Sequence, residues 1–248
     1  MRPSLPSTAL VVLALCFVLS VIGRGVNESF TVFLLPISSS FGWDRANVLS
    51  IYSLAALAGG LSSPFVGRLF DRSGPRAVYS LGLGLIACAF LAAAFAQELW
   101  QLQLSLGLCI GLGSASVGNV PNTILLGRWF GARLPAAMAV IYSAMGAGVL
   151  LLLPASQLLI DHAGWRGAYQ VMGGIALALL VLLQLLPWRT FAAGSPDLPK
   201  TQAHATTDAG WTLVSAARHH AFWSLFSTFF FTAVGMFAIS AQAVAYLV

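Results

Sequence analysis

Seven long apolar stretches account for most of this 248-residue chain. A helix needs about 20 apolar residues to span the hydrocarbon core of a bilayer. Backbone groups inside lipid must bond to one another, and the alternation that marks barrel strands is absent, so we predict seven transmembrane helices. The charged fraction of 8% fits this class, since soluble domains carry about 25%. The predicted spans are Leu10–Ile37, Ala46–Gly67, Ala77–Ala96, Leu99–Gly127, Ala136–Ile160, Gly167–Pro187 and Ala221–Val248.

The basic residues are distributed unevenly over the predicted connections. Arg45 and Arg166 lie in odd-numbered connections and Arg24 lies inside a span, whereas all the others fall at the N-terminus or in even-numbered connections. Because cytoplasmic connections carry the excess of Lys and Arg, this distribution predicts a cytoplasmic N-terminus. Topology and anionic lipid head groups then explain the net charge of +5, so we predict no nucleic-acid partner. The remaining basic residues are Arg2, Arg68, Arg72, Arg76, Arg128, Arg133, Arg189, Lys200 and Arg218.

The Trp residues lie at or near the ends of the predicted spans. Trp and Tyr are enriched at membrane–water interfaces, so this placement predicts an interfacial belt that anchors the helices. The residues are Trp43, Trp100, Trp129, Trp165, Trp188, Trp211 and Trp223.

One short pattern occurs in two connections. Asp71–Arg76 joins spans 2 and 3, Asp161–Arg166 joins spans 5 and 6, and both read D-x-x-G-x-R. The predicted topology places them on opposite sides of the membrane, as an inverted repeat of three helices plus three would. Repeats of this kind build secondary transporters. The sequence therefore predicts an inverted 3+3 helix repeat.

Strongly polar side chains within the spans concentrate on spans 1, 4 and 7. These spans are equivalent positions in three-helix repeats, so we expect their polar residues to line one shared cavity. The candidate substrate-binding residues are Arg24, Asn27, Asn119, Asn122 and Gln242.

Arg24 and Glu28 lie four positions apart within span 1 and therefore share one helix face. A charge at the centre of a membrane helix costs roughly 2.5–3.5 kcal/mol on insertion scales, and such residues usually face a cavity. A guanidinium group offers a fork of donors to a carboxylate, and loss of water favours the protonated form of a carboxyl group. In one interpretation Arg24 binds an anionic substrate and Glu28 couples protons. In the other, the two form an internal ion pair that holds span 1 against a neighbour.

The sequence contains no motif for enzymatic chemistry or for a cofactor. A P-loop, an HExxH motif and a nucleophile elbow are all missing, and the His and Cys residues lack metal-ligand spacing. We therefore predict that the protein is not an enzyme and has no cofactor or metal site. ATP-driven transport would need another chain.

The connection between spans 2 and 3 resembles the signature of the major facilitator superfamily, which reads G-x-x-x-D-[RK]-x-G-[RK]-[RK]. Pro75 departs from this pattern, because the family has a basic residue there. The resemblance implies an all-α membrane protein with the major facilitator fold. It also implies that this gating motif braces the cytoplasmic gate, with Asp71 facing the positive end of a helix in the second half of the transporter. The matching residues are Gly67, Asp71, Arg72, Gly74 and Arg76.

The same resemblance divides the chain into three parts. Residues 1–189 form an N-terminal six-helix bundle, residues 190–218 form the central cytoplasmic linker, and residues 219–248 form the seventh helix, which begins the second half. An odd number of spans closes no pair of repeats. We therefore expect a part of a longer transporter whose partner is the missing C-terminal half.

Shorter segments resemble the monocarboxylate transporter-like and oxalate:formate antiporter-like branch of the superfamily. They are Ser29–Phe33, Phe41–Ala46, Arg128–Phe130 and Gly164–Tyr169. This resemblance implies secondary active transport of a small organic anion, a monocarboxylate or dicarboxylate, by alternating access. Symport with protons and antiport with another anion both stay open. One departure matters, since eukaryotic monocarboxylate transporters carry a functional lysine near the position of Glu28.

Two alternative functions stay open at this point. One is the transport of a different, non-carboxylate solute, and the other is a non-transporting membrane module, such as a regulator made from half a transporter. In both alternatives the protein is embedded in the lipid bilayer, which is its partner. The expected location is the inner (plasma) membrane of a bacterium.

Overall fold

The computed structural model of the chain describes residues 7–195 and 218–232, and every regular element in these ranges is helical. The chain divides into two units, Met1–Leu198 and Pro199–Val248. In the second unit a helix covers residues 220–232. The predicted site residue Gln242 and most of the predicted linker lie outside the described residues.

The first unit contains seven α-helices and two short helices of other types. A π-helix covers Gln103–Cys109 and a 3-10 helix covers Gly131–Arg133. The α-helices are α1 Ser7–Phe41, α2 Arg45–Ala94, α3 Leu99–Leu102, α4 Ile110–Val117, α5 Asn119–Phe130, α6 Leu134–Gln184 and α7 Trp188–Ala193.

Within residues 7–195 and 218–232, three helical stretches are long and apolar enough to cross a membrane. They are Ser7–Phe41, Arg45–Ala94 and Leu99–Gln184. The all-α membrane class is thus confirmed, while the number of seven spans stays a prediction.

Both α2 and α6 are interrupted at the glycine of a D-x-x-G-x-R segment. The φ and ψ angles are 77° and 176° at Gly74, and 69° and 170° at Gly164. This backbone region is open essentially to glycine alone. Each long helix therefore consists of two straight segments that meet at one residue, where the sequence predicted a connection between spans.

The two glycines lie at opposite ends of the bundle. Near Gly74, the Nε of Arg76 donates a hydrogen bond to Gln184 (2.9 Å). Near Gly164, the guanidinium of Arg166 donates to the Ala96 carbonyl (3.2 Å). The helical segment 75–94 separates these ends by about 30 Å, at a rise of about 1.5 Å per residue. The predicted topology places these two connections on opposite sides of the membrane, and their positions in the bundle agree with it. Which end faces the cytoplasm stays a prediction.

Two glycines allow helix backbones to touch inside the bundle. A Cβ added to Gly148 of α6 would lie 2.6 Å from the Val21 carbonyl oxygen of α1. One added to Gly111 of α4 would lie 2.5 Å from the Ala55 carbonyl oxygen of α2. Small residues of this kind let membrane helices approach closely without a hydrophobic driving force. These residues therefore mark close backbone crossings of α1 with α6 and of α2 with α4.

The prediction of an interfacial Trp belt is wrong for Trp129, Trp165 and Trp188. All three are buried in the bundle. Each indole N–H donates to a protein oxygen 2.7–2.9 Å away: the Phe191 carbonyl, the Ser40 hydroxyl and the Leu183 carbonyl, respectively. Position near a helix end indicates the depth of a Trp residue in the membrane, but it does not indicate whether the ring points toward lipid or toward protein.

Candidate functional site

The predicted fourth span is broken in the middle. Helix α4 ends at Val117, Gly118 is extended (φ −86°, ψ −155°), and α5 begins at Asn119. The sequence predicted a single span here, Leu99–Gly127, in which Pro121 is a residue that kinks helices. Transporters commonly form their binding sites at discontinuous helices near the bilayer midplane. Helix α1 passes close to this break, because a Cβ added to Gly23 would lie 2.8 Å from a Val117 methyl group.

Arg24 and Glu28 form an ion pair on α1, one turn beyond Gly23. The distance from Arg24 Nη2 to Glu28 Oε1 is 2.8 Å. The Arg24 side chain is 43% exposed and the Glu28 side chain 19%. The hydroxyl of Tyr52 on α2 donates to the same Glu28 oxygen at 3.4 Å. One Glu28 oxygen thus has two partners, whereas the guanidinium of Arg24 stays accessible.

Asn27 and Asn119 lie near this pair and near the helix break, respectively. The Asn27 amide donates to the Gly23 carbonyl (3.0 Å). Asn119 is the first residue of α5 and is partly buried. Both side chains are thus placed where the sequence predicted polar contacts to a substrate, and that role stays a prediction.

Asn122 occupies a different environment. It is 0% exposed, and its carbonyl oxygen accepts a hydrogen bond from the Tyr79 hydroxyl (2.7 Å). Its amide nitrogen donates to the Ser20 hydroxyl (2.8 Å) and to the Val117 carbonyl (3.2 Å) at the end of α4. The side chain therefore joins three helical segments and ties down the break at Gly118.

The residues of the gating motif lie at the Gly74 end of the bundle. Gly67 faces α5, since a Cβ added to it would lie 3.8 Å from a Val120 methyl group. The side chains of Asp71, Arg72 and Arg76 are exposed. Asp71 thus points away from the first unit, and the predicted contact to a helix of a second half stays a prediction.

Sequence reasoning missed the contribution of Tyr52 and of a pocket behind it. The pocket is small, with a cavity volume of about 20 Å³, and Asn27, Tyr52 and Tyr169 are among the residues that line it. A tyrosine within an apolar stretch resembles an ordinary core residue, so the sequence offered no signal for this site. Within the described ranges, no three His, Cys, Asp or Glu residues come together as a metal site.

The fold and the charged pair define an integral membrane protein of the transporter class. Residues 13–248 match the Major Facilitator Superfamily, and the chain belongs to this family. Membership places the chain among transporters and not among enzymes.

The relatives of the chain include monocarboxylate transporters. It is 31% identical over 170 residues to monocarboxylate transporter 12 of Mus musculus, covering 68% of this chain and 35% of the relative. It is 34% identical over 194 residues to monocarboxylate transporter 11 of Homo sapiens, covering 76% and 40%. The uncharacterized MFS-type transporter YcxA of Bacillus subtilis is 28% identical over 172 residues, covering 69% and 42%. The matched region thus spans less than half the length of each of these relatives.

Proposed function

We propose that this chain supplies the N-terminal bundle of a secondary active transporter for a small organic anion of the monocarboxylate or dicarboxylate class. The observation that carries the proposal is the accessible guanidinium of Arg24 inside an apolar helix, paired with Glu28 at 2.8 Å. A guanidinium binds a carboxylate through two parallel hydrogen bonds. The names of the similar transporters support the same class of substrate.

The ion pair suggests how anion binding and proton binding are coupled. A substrate carboxylate competes with Glu28 for the Arg24 guanidinium. Protonation of Glu28 removes this competitor, so proton binding and anion binding favour each other, and the linkage is reciprocal. Tyr52 keeps Glu28 close to the guanidinium. This arrangement favours proton symport over exchange with a second anion.

The remaining predicted residues have distinct proposed roles. Asn27 and Asn119 contact the substrate from α1 and α5, and the part of Gln242 in substrate binding stays as the sequence predicts it. Asn122 shapes the helix break, because its amide already bonds to Tyr79, Ser20 and Val117.

Alternating access is proposed to follow from an inverted 3+3 repeat. The matching backbone angles at Gly74 and Gly164, in two D-x-x-G-x-R segments, support this relation. In this proposal the Gly74 end of the bundle and the N-terminus lie in the cytoplasm, at a bacterial inner membrane. The exposed Asp71 then meets the C-terminal half of the transporter when the cytoplasmic gate closes.

The test is equilibrium binding of radiolabelled small carboxylates to the chain in lipid nanodiscs, measured from pH 5 to pH 8. Arg24→Ala should weaken binding at least about 10-fold, because hydrogen bonds to charged groups contribute about 1.5–3 kcal/mol. Arg24→Lys should recover part of the affinity, since lysine lacks the fork. Glu28→Gln, which cannot ionise, should bind the anion more tightly at pH 8 than the unaltered chain does and should remove the pH dependence of binding.

The matched control is Arg45→Ala, which removes an exposed arginine at the start of α2 and should leave binding unchanged. The decisive variant is the double change Arg24→Leu with Glu28→Leu. A folded double variant that binds carboxylates as the unaltered chain does would show that the pair is a scaffold, and the proposal would then be wrong.

A further inference from the structure

The short helix α7 packs against the end of the bundle that carries the gating motif. Its two aromatic side chains, Trp188 and Phe191, are both buried. The Trp188 ring lies 5.8 Å from the ring of Tyr79 in α2, measured between centroids. We call residues 188–195, which are α7 and the two residues after it, the strap. The strap includes the first residues of the predicted linker.

The ends of α5 and α7 satisfy each other's unpaired backbone groups. The last carbonyls of a helix have no partner within that helix. In α7, the Ala192 carbonyl accepts a hydrogen bond from the Arg128 guanidinium at 3.2 Å. The Phe191 carbonyl accepts one from the Trp129 indole at 2.9 Å. In return, the backbone N–H of Ser195 donates to the Arg128 carbonyl near the end of α5 at 3.0 Å. The strap is therefore docked by specific hydrogen bonds as well as by apolar packing.

Gly194 allows the strap to come close enough for these bonds. Its φ and ψ angles are 81° and −177°, a region that is essentially restricted to glycine. A Cβ added to it would lie 2.9 Å from the Arg128 carbonyl oxygen, which is the acceptor of the Ser195 N–H. A single methyl group on Gly194 should thus push the strap away from α5 without altering any residue of α2 or α5.

Arg128 also contacts the helix that carries the gating motif. Its guanidinium carbon lies 5.3 Å from the centre of the Phe70 ring, within the range of about 6 Å for cation–π attraction. Phe70 is 0% exposed and directly precedes Asp71 in the chain. One arginine side chain therefore contacts both the strap and the residue next to Asp71.

We propose that Arg128 is a positioning residue for the gating motif and that the strap controls it. While the strap is docked, the Ala192 carbonyl holds the guanidinium against Phe70, and this contact fixes the segment that leads to Asp71. Release of the strap frees the guanidinium, so that a movement of the linker reaches Asp71. The linker then acts on the gate and is more than a tether. The inference rests on the gating role proposed for Asp71, but it does not depend on the identity of the substrate.

The test is backbone hydrogen–deuterium exchange of the chain in lipid nanodiscs, measured by mass spectrometry. Exchange of each amide reports the local opening of its segment. Gly194→Ala should speed exchange in the strap and also in residues 66–73. Arg128→Ala should speed exchange in residues 66–73 by about 2- to 30-fold, the factor that corresponds to the loss of a cation–π contact. Exchange in residues 160–170, at the opposite end of the bundle, should not change in either variant.

Two control variants separate the docking contact from charge and from backbone strain. Arg189→Ala removes an exposed arginine from the strap itself and should leave exchange in residues 66–73 unchanged. Gly42 also has a positive φ, 68°, but a Cβ added to it meets nothing within 4 Å. Gly42→Ala should therefore change exchange neither in the strap nor in residues 66–73. Arg128→Ala and Gly194→Ala act from opposite sides of one contact, so the inference stays testable if one of them fails to fold.

Three results would overturn the inference. If Gly194→Ala frees the strap and exchange in residues 66–73 stays the same, the strap is only an anchor. If Gly194→Ala leaves exchange in the strap unchanged, this contact does not hold the strap. If exchange rises equally in residues 160–170, the variants loosen the whole bundle and do not act on the gating motif.

Failure of the proposed function would give a different result. The chain would then bind no carboxylate, while exchange in residues 66–73 would still follow the docking of the strap. Anion binding and amide exchange therefore test the two proposals separately.

Discussion

Asn122 allows a sharp test of the difference between a scaffold residue and a binding residue. Asn122→Leu keeps the branched shape and the number of side-chain heavy atoms, and it removes the hydrogen bonds to Tyr79, Ser20 and Val117. Each buried bond contributes about 1 kcal/mol net, and bonds between membrane helices average about 0.6 kcal/mol. The loss in free energy of unfolding should therefore be about 2–3 kcal/mol.

The assay is chemical unfolding of the purified chain in mixed micelles, followed by tryptophan fluorescence. Tyr79→Phe alone should cost about 1 kcal/mol. In a double-mutant cycle with Asn122→Leu, the two changes should be non-additive by a similar amount, because they share one bond. Asn119→Leu is the control at a partly buried neighbour and should change stability by less than about 0.5 kcal/mol.

The refuting result is specific. If Asn122→Leu unfolds within about 0.5 kcal/mol of the unaltered chain but loses anion binding, then Asn122 is a substrate ligand. The assignment of Asn122 as a substrate-binding residue would then be correct, and our inference that Asn122 stabilises the helix break would be wrong.

Two further predictions concern packing and topology. Gly111→Ala should cost about 1–3 kcal/mol in free energy of unfolding through overpacking, because the new methyl group meets the Ala55 carbonyl at 2.5 Å. The control is Gly60→Ala, which adds a methyl group where nothing lies within 4 Å and should not destabilise the chain. Equal losses of stability in the two variants would contradict the backbone crossing. Reporter fusions at Ser73 should read cytoplasmic and those at Ala163 external, and an external signal at Ser73 would overturn the topology and the inverted repeat together.

The positions of the interruptions in α2 and α6 could be predicted, because they depend on the residues at the interruption itself. A left-handed backbone angle needs glycine, and the repeated pattern around Gly74 and Gly164 places that glycine among polar residues. The break lies just before Pro121, which lacks a backbone N–H and whose ring clashes with the carbonyl four residues earlier, at Val117. The sequence therefore indicates an irregularity in this span, but it does not place that irregularity at Gly118. The side chain of Asn122, which is bonded to Val117 across the break, makes this geometry stable, and that contact exists only in the folded bundle.

The site was predictable in part for a related reason. Arg24 and Glu28 are informative because a charge inside an apolar stretch is costly wherever it points. The burial of Asn122 and of three Trp residues could not be predicted, since an amide or an indole is tolerated on any helix face. Composition along the chain indicates depth in the membrane, and tertiary packing decides the direction of each side chain.

The single-residue interruptions at Gly74 and Gly164 have a consequence for biogenesis. Only one residue in each long helix departs from helical angles, so the segments on either side have no slack between them. A ribosome-bound chain cannot leave the first segment in lipid while the second waits in water at a distance. We therefore expect residues 45–94 and 134–184 each to enter the bilayer as a preformed hairpin, with α1 and the stretch 99–130 inserted singly.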